Sequence, residues 1–170
     1  HNFIPSEALD QLAAYDGLAF DNCAWAERVP WDAIDDLLRK MRTSDYVPVS
    51  VRPYVWEGSR LAAIAWERSS AEYRFARDLT EEQLLQSFKA LQAEGFELVD
   101  FSTYAHSEAA NQGLRWLAVW RKASRDVRSH QLLLNLDPLE HAASERGLSG
   151  YVPLRHMVAI DIQGNKRSTT

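Results

Sequence analysis

Two stretches about fifty residues apart carry the same pattern. VPVSVRPYVWEGSRLAAIAWER (Val47 to Arg68) reads as two strands joined by a short turn, and LVDFSTYAHSEAANQGLRWLAVWRK (Leu98 to Lys122) repeats that plan in other letters. Such self-similarity limits the fold strongly, because a small unit cannot bury its sheet face alone and must share a core with its neighbours. With Tyr46 set on Phe96, Val49 falls on Val99, Val51 on Phe101 and Tyr54 on Tyr104. The first strand alternates, which predicts Val47, Val49 and Val51 on one face and Ser50, Arg52 and Tyr54 on the other. The second strand ends on a tryptophan followed by charge, AIAWER against LAVWRK, so Trp66 matches Trp120.

A third alternating stretch, EYRFARDL (Glu72 to Leu79), has QLLLNL (Gln131 to Leu136) in the same place of the second copy. A helix follows. In LTEEQLLQSFKALQAEG, Thr80 and Gln83 have the spacing of a capping box, and Leu84, Leu85, Phe88 and Leu91 recur at helical spacing. Gly95 fits a left-handed cap. The second copy's helix opens with Asp137 as cap and Pro138 in the first turn, and ends near Gly147.

A third copy begins at GYVPLRHMVAI and reads as one strand and the start of a turn before Thr170. At the amino-terminal side, Pro5 or Ser6 opens a helix that ends at Gly17, and LAFDNCAWAER looks like the second strand of a partial unit, with Trp25 in the tryptophan place and the third strand missing. PWDAIDDLLRKMRTSD is an amphipathic helix whose inner face holds Trp31, Ile34, Leu37, Leu38 and Met41. The expected fold is α+β: tandem strand-strand-strand-helix units making a curved, mainly antiparallel sheet with helices packed on one side. The expected organisation is one domain over 1–170, with a helix and partial repeat over 1–45, repeats over 46–95 and 96–150, and a truncated repeat over 151–170. Trp66, Trp120 and Trp25 are expected to wedge between sheet and helices, once per unit.

The Tyr-x-Pro-Val start, the Trp-charged strand end and the Leu-Thr helix cap together resemble bacterial tandem repeats of about fifty residues found in large multidomain proteins. Similar repeats form the non-catalytic half-barrel domain of polyglycine hydrolases, and others sit beside kinase or sulfatase-modifying domains. The resemblance runs roughly from Leu18 to Ile162, and the second copy departs from it with Glu97-Leu98 where Val47-Pro48 stand. It implies a half-barrel and an accessory module of a larger polypeptide, and it brings no catalytic residue.

The net charge of -5 and a pI near 5.5 argue against a nucleic-acid partner, since phosphate binding needs clustered Lys and Arg. No apolar run approaches the ~20 residues of a membrane span. Cys23 is the single cysteine, which excludes an internal disulfide. Because the chain begins at His1, it reads as an excerpt of something longer, and its compartment stays open.

No nucleophile elbow or Ser-x-x-Lys acylation motif occurs, no pair among His1, His106, His130, His141 and His156 has the spacing of a helical zinc site, and the glycines lack a phosphate-cradling spacing. Neither metal nor cofactor is expected. The carboxylates of DAIDDLL and LTEEQ suit helix starts and outer faces. The aromatics remain: Tyr54 and Tyr104 share the polar strand face with Arg52, and Trp56 sits on the turn itself, a set suited to a recognition platform for a peptide or polysaccharide. Two functions follow. One is a non-catalytic module that positions or binds a partner domain, peptide or polysaccharide; the other is a small hydrolase-type enzyme with Cys23, His106 and His156 as its players.

Overall fold

Alternation and caps in the sequence translate directly into elements. A computed structural model of the chain describes residues 6–106, 113–124, 132, 157–160 and 166–169. Helix α1 spans Ser6–Ala13, and strands β1 (Leu18–Ala19) and β2 (Cys23–Pro30) follow. A 3₁₀ turn over Trp31–Ala33 leads into α2 (Ile34–Arg42), whose Ile34, Leu37, Leu38 and Met41 are buried as their spacing predicts. Next come β3 (Tyr46–Trp56), β4 (Ser59–Arg68), β5 (Tyr73–Leu79), α3 (Glu81–Ala93), β6 (Phe96–His106) and β7 (Gly113–Lys122). The capping box of α3 is made from both sides: Gln83 N–H donates to Thr80 Oγ1 at 3.2 Å, and Thr80 N–H donates to Gln83 Oε1 at 2.8 Å. Past α2 and α3, Asp45 and Gly95 hold positive φ angles of 62° and 82°, the left-handed conformation that ends a helix.

The strands form antiparallel sheets, one of order β1-β2-β4-β3 and one of order β5-β7-β6. The expectation of one continuous curved sheet is thereby corrected among the described residues, since β3 and β6 lie side by side with no shared ladder. Although β5 follows β4 in the chain, it pairs with β7. In the first sheet the matching place, beside the strand that carries the buried tryptophan, belongs to β2, which was expected in the place of that strand itself. Trp25 consequently falls where Phe75 stands. It is half-buried and stacks on Phe20 at 5.3 Å, instead of wedging under a helix.

The pairings of the two sheets agree residue by residue. Tyr46 opposes Arg68 as Phe96 opposes Lys122; Pro48 opposes Trp66 as Leu98 opposes Trp120; Ala24 opposes Trp66 as Arg74 opposes Trp120. Irregularities match as well. The β3/β4 register shifts between Pro48 and Ser50, and the β6/β7 register between Leu98 and Asp100. Likewise β2/β4 shifts between Ala26 and Val29, and β5/β7 between Ala76 and Leu79. An extra residue moves everything beyond it to the other face. That bulge corrects the simple alternation expected for β3, because Val51 pairs with Ile64 on the side of Tyr46 and Pro48, opposite Val47.

Trp66 and Trp120 are each 1% exposed. Trp66 sits in a core with Leu12 of α1, Ile34, Leu37, Leu38 and Met41 of α2, and Val51 and Ile64 of the first sheet. Leu117 and Val119 of β7 join that core, which therefore draws on both sheets, and α2 reaches the second sheet through Asp35 with Arg77. Trp120 belongs to a second core with Leu84, Phe96, Phe101, Trp116 and Ala118. Where one strand and the start of a turn were expected, β8 (Met157–Ile160) pairs antiparallel with β9 (Lys166–Thr169), so a second strand is present. Most of the expected strand over Gln131–Leu136 and the helix from Asp137 lie outside the described residues; Leu132 packs against the second core.

Candidate functional site

The polar strand positions converge where β3 meets β6. Val51 turns its backbone away from β4, and Asp100, fully buried, meets it: Val51 N–H donates to Asp100 Oδ2 at 2.8 Å. Arg52 forks onto the same carboxylate, with one nitrogen at 2.6 Å from Oδ2 and the other at 2.9 Å from Oδ1. Ser102 completes the contact by donating to the Val51 carbonyl at 3.1 Å and accepting from Arg52 at 2.9 Å. Side chains of β6 thus meet the outward N–H and carbonyl of Val51 on the edge strand β3. Burial raises the pKa of Asp100 above the usual carboxylate range, against the opposing pull of the Val51 N–H and the Arg52 charge.

Tyr54 and Tyr104 reach the bulged strands. The Tyr54 hydroxyl donates to the Glu27 carbonyl within the β2 bulge. Tyr104 does the corresponding work on β5: its hydroxyl donates to Asp78 Oδ1 and accepts from Asp78 N–H, both at 2.8 Å. Asp78 has φ 58°, a conformation that a non-glycine residue holds at a cost, and the phenol pins it. Burial foremost, then the neighbouring Asp78 carboxylate, pushes the Tyr104 phenol well above its ordinary pKa. Tyr104→Phe is expected to destabilise the fold by about 1–2 kcal/mol in urea unfolding, because it removes a bond to the Asp78 carboxylate and one from the Asp78 N–H at a partly exposed site.

Around Tyr104 stands a cluster that sequence reasoning missed. Trp31 meets its ring edge-on at 4.7 Å, and the Arg60 guanidinium lies 5.3 Å from Trp31 and 5.1 Å from Tyr104. Arg60 also donates to the Ala105 carbonyl at 2.9 Å. Arg77 stacks over Trp31 at 5.2 Å, donates to its carbonyl and pairs with Asp35 at 2.6 Å. Arg121 reaches Glu67 and Glu97. One signal was legible: Asp100 replaces Ser50 at an aligned strand position, where a carboxylate must find a cation if it is buried.

The structure therefore brings Arg52 and Tyr104 to one joint, places Tyr54 on the β2 bulge, and leaves Trp56 apart. Trp56 is 54% exposed beside Val55 at 69%, on a hairpin tip whose Glu57 and Gly58 have φ angles of 48° and 78°, as a two-residue turn requires. Cys23 is half-buried at the start of β2, in the first sheet, while His106 ends β6 in the second. His156, like His1, His130 and His141, lies outside the described residues. Among the described residues no group of His, Cys, Asp and Glu has the arrangement of a metal site, and no helix is long and apolar enough to cross a membrane.

Residues 70–123 match the family model described as a polyglycine hydrolase-like structural repeat. That stretch contains β5, α3, β6 and β7 whole, and it supports the resemblance to repeat domains of this kind. No curated protein and no solved structure matches the chain.

Proposed function

We propose that this chain is a non-catalytic module of stacked β-α-β-β units that positions a partner for a larger polypeptide. The observation that carries the reading is the agreement of β2-α2-β3-β4 with β5-α3-β6-β7 in strand order, register and bulge position. One of these two units is the stretch that matches a structural repeat. The polar residues of the strands serve the joint between units: Arg52 closes on Asp100, and Tyr104 on Trp31 and Arg60. Trp56 and Val55 serve the partner, an extended peptide, a polysaccharide or a neighbouring domain, because an exposed tryptophan on a rigid two-residue hairpin offers contact area with little ordering cost.

Trp56→Ala is expected to leave unfolding unchanged within ~0.5 kcal/mol, since the side chain is exposed, and to weaken capture by peptide or polysaccharide arrays at least about tenfold. Equal capture by both forms would remove Trp56 from the proposal. A hydrolase activity of the purified chain that disappears with Cys23→Ser or His156→Ala would overturn the non-catalytic reading.

A further inference from the structure

We infer that the charges at the joint act as an address: they accept the second unit on the first and reject another copy of the first unit in that place. This rests on the repeat reading above. Three ion pairs cross the joint: Arg52 with Asp100, Asp35 with Arg77, and Glu67 with Arg121. The register matches between the sheets say what a first unit would offer in place of the second. Where Asp100 and Ser102 stand, the first unit has Ser50 and Arg52; where Arg77 stands it has Glu27; where Arg121 stands it has Glu67. First unit on first unit would set Arg52 beside Arg52, Asp35 beside Glu27 and Glu67 beside Glu67. Three attractions become three repulsions, while the aromatic part of the joint hardly changes, because Tyr54 stands where Tyr104 does.

Apolar packing makes part of this choice, because Ala63 and Ala65 of the first unit stand where Leu117 and Val119 of the second enter the shared core. Both units also bury a matched tryptophan, Trp66 and Trp120, but a smaller apolar side chain costs only contact, whereas the charges reverse sign. Like charges brought together impose the discrimination, as in other assemblies of similar parts. Each partly exposed pair is worth up to about fivefold in a local equilibrium, and its reversal costs a similar factor, so several acting together are decisive.

The test uses the full chain. Arg77→Glu with Arg121→Glu gives the second unit the first unit's charges at two of the three pairs and leaves Arg52 with Asp100 in place. Adding Asp35→Arg and Glu67→Arg restores opposite signs. Hydrogen exchange of the Val51 amide, which bonds across the joint to Asp100, reads the opening. The double variant is expected to exchange there on the order of tenfold faster or more, with the β3/β4 and β6/β7 ladders still protected, and the fourfold variant to return to near the native rate. An unchanged rate in the double variant, or a fourfold variant no slower than the double, would overturn the inference. If the double variant does not fold, the fourfold variant decides: native protection at Val51 supports the address and an unfolded chain refutes it. The repeat reading fails on another signal, a native chain whose two sheets lack matching loss of protection at the Ala26/Val29 and Ala76/Leu79 register shifts.

Discussion

Trp66→Ala is expected to destabilise the protein by about 3–5 kcal/mol, the range for emptying a buried tryptophan site. The indole is 1% exposed and is held by α1, α2 and the first sheet together, so no single element can shift to fill the void. The loss is large beside the roughly 5–15 kcal/mol that holds a typical domain. It arises from packing alone, since Trp66 Nε1 has no hydrogen-bond partner among the described residues, and neither does Trp120 Nε1. Trp66→Phe, which keeps a ring and forfeits no polar contact, is accordingly expected to cost only about 1–2 kcal/mol. Urea unfolding with several probes measures both. A Trp66→Ala midpoint within 1 kcal/mol of the native protein would show that this tryptophan does not join helix to sheet.

Arg52→Ala is expected to cost about 2–3 kcal/mol at neutral pH, less than for a fully buried pair because 42% of the Arg52 side chain meets solvent. Its signature is pH dependence. Burial already raises the Asp100 pKa in the native state, and removing the opposing Arg52 charge raises it further. A carboxyl whose folded pKa exceeds its unfolded value binds more protons when folded. Its contribution is fully present below the unfolded pKa, near 3.9, and is lost as pH rises through the folded one. Arg52→Ala should therefore lose stability relative to the native protein as pH rises from about 4 towards 7. Adding Asp100→Ser, which installs the residue found at the matching position 50, should abolish that slope and recover part of the loss. A pH-independent difference between Arg52→Ala and the native protein would remove the buried carboxylate from the account.

These two residues divide differently between sequence and structure. Trp66 and Trp120 announce themselves, because the same residue ends the same strand in both copies and an aromatic so placed belongs to a core. Arg52 was legible as a polar strand residue, and an exposed platform with Tyr54, Trp56 and Tyr104 was a fair expectation from alternation. What alternation cannot report is a neighbouring strand across the joint. Asp100 lies 48 residues from Arg52, and Tyr104 lies 26 from Asp78. Of the four, Trp56 stands at a hairpin tip and is 54% exposed.

By itself the sequence determined what near neighbours decide: the Thr80–Gln83 capping box, the left-handed Gly95 and the inner stripe of α2. Each is settled within a few residues, through backbone donors, side-chain periodicity or permitted φ. The tertiary structure alone decided that β5 joins β7, that bulges send Val47 and Val51 to opposite faces, that Trp25 lies outside the core and that Asp100 is buried under Arg52. Those outcomes depend on which distant strand supplies the partner, and pairing energy is collected only after the loops between have closed.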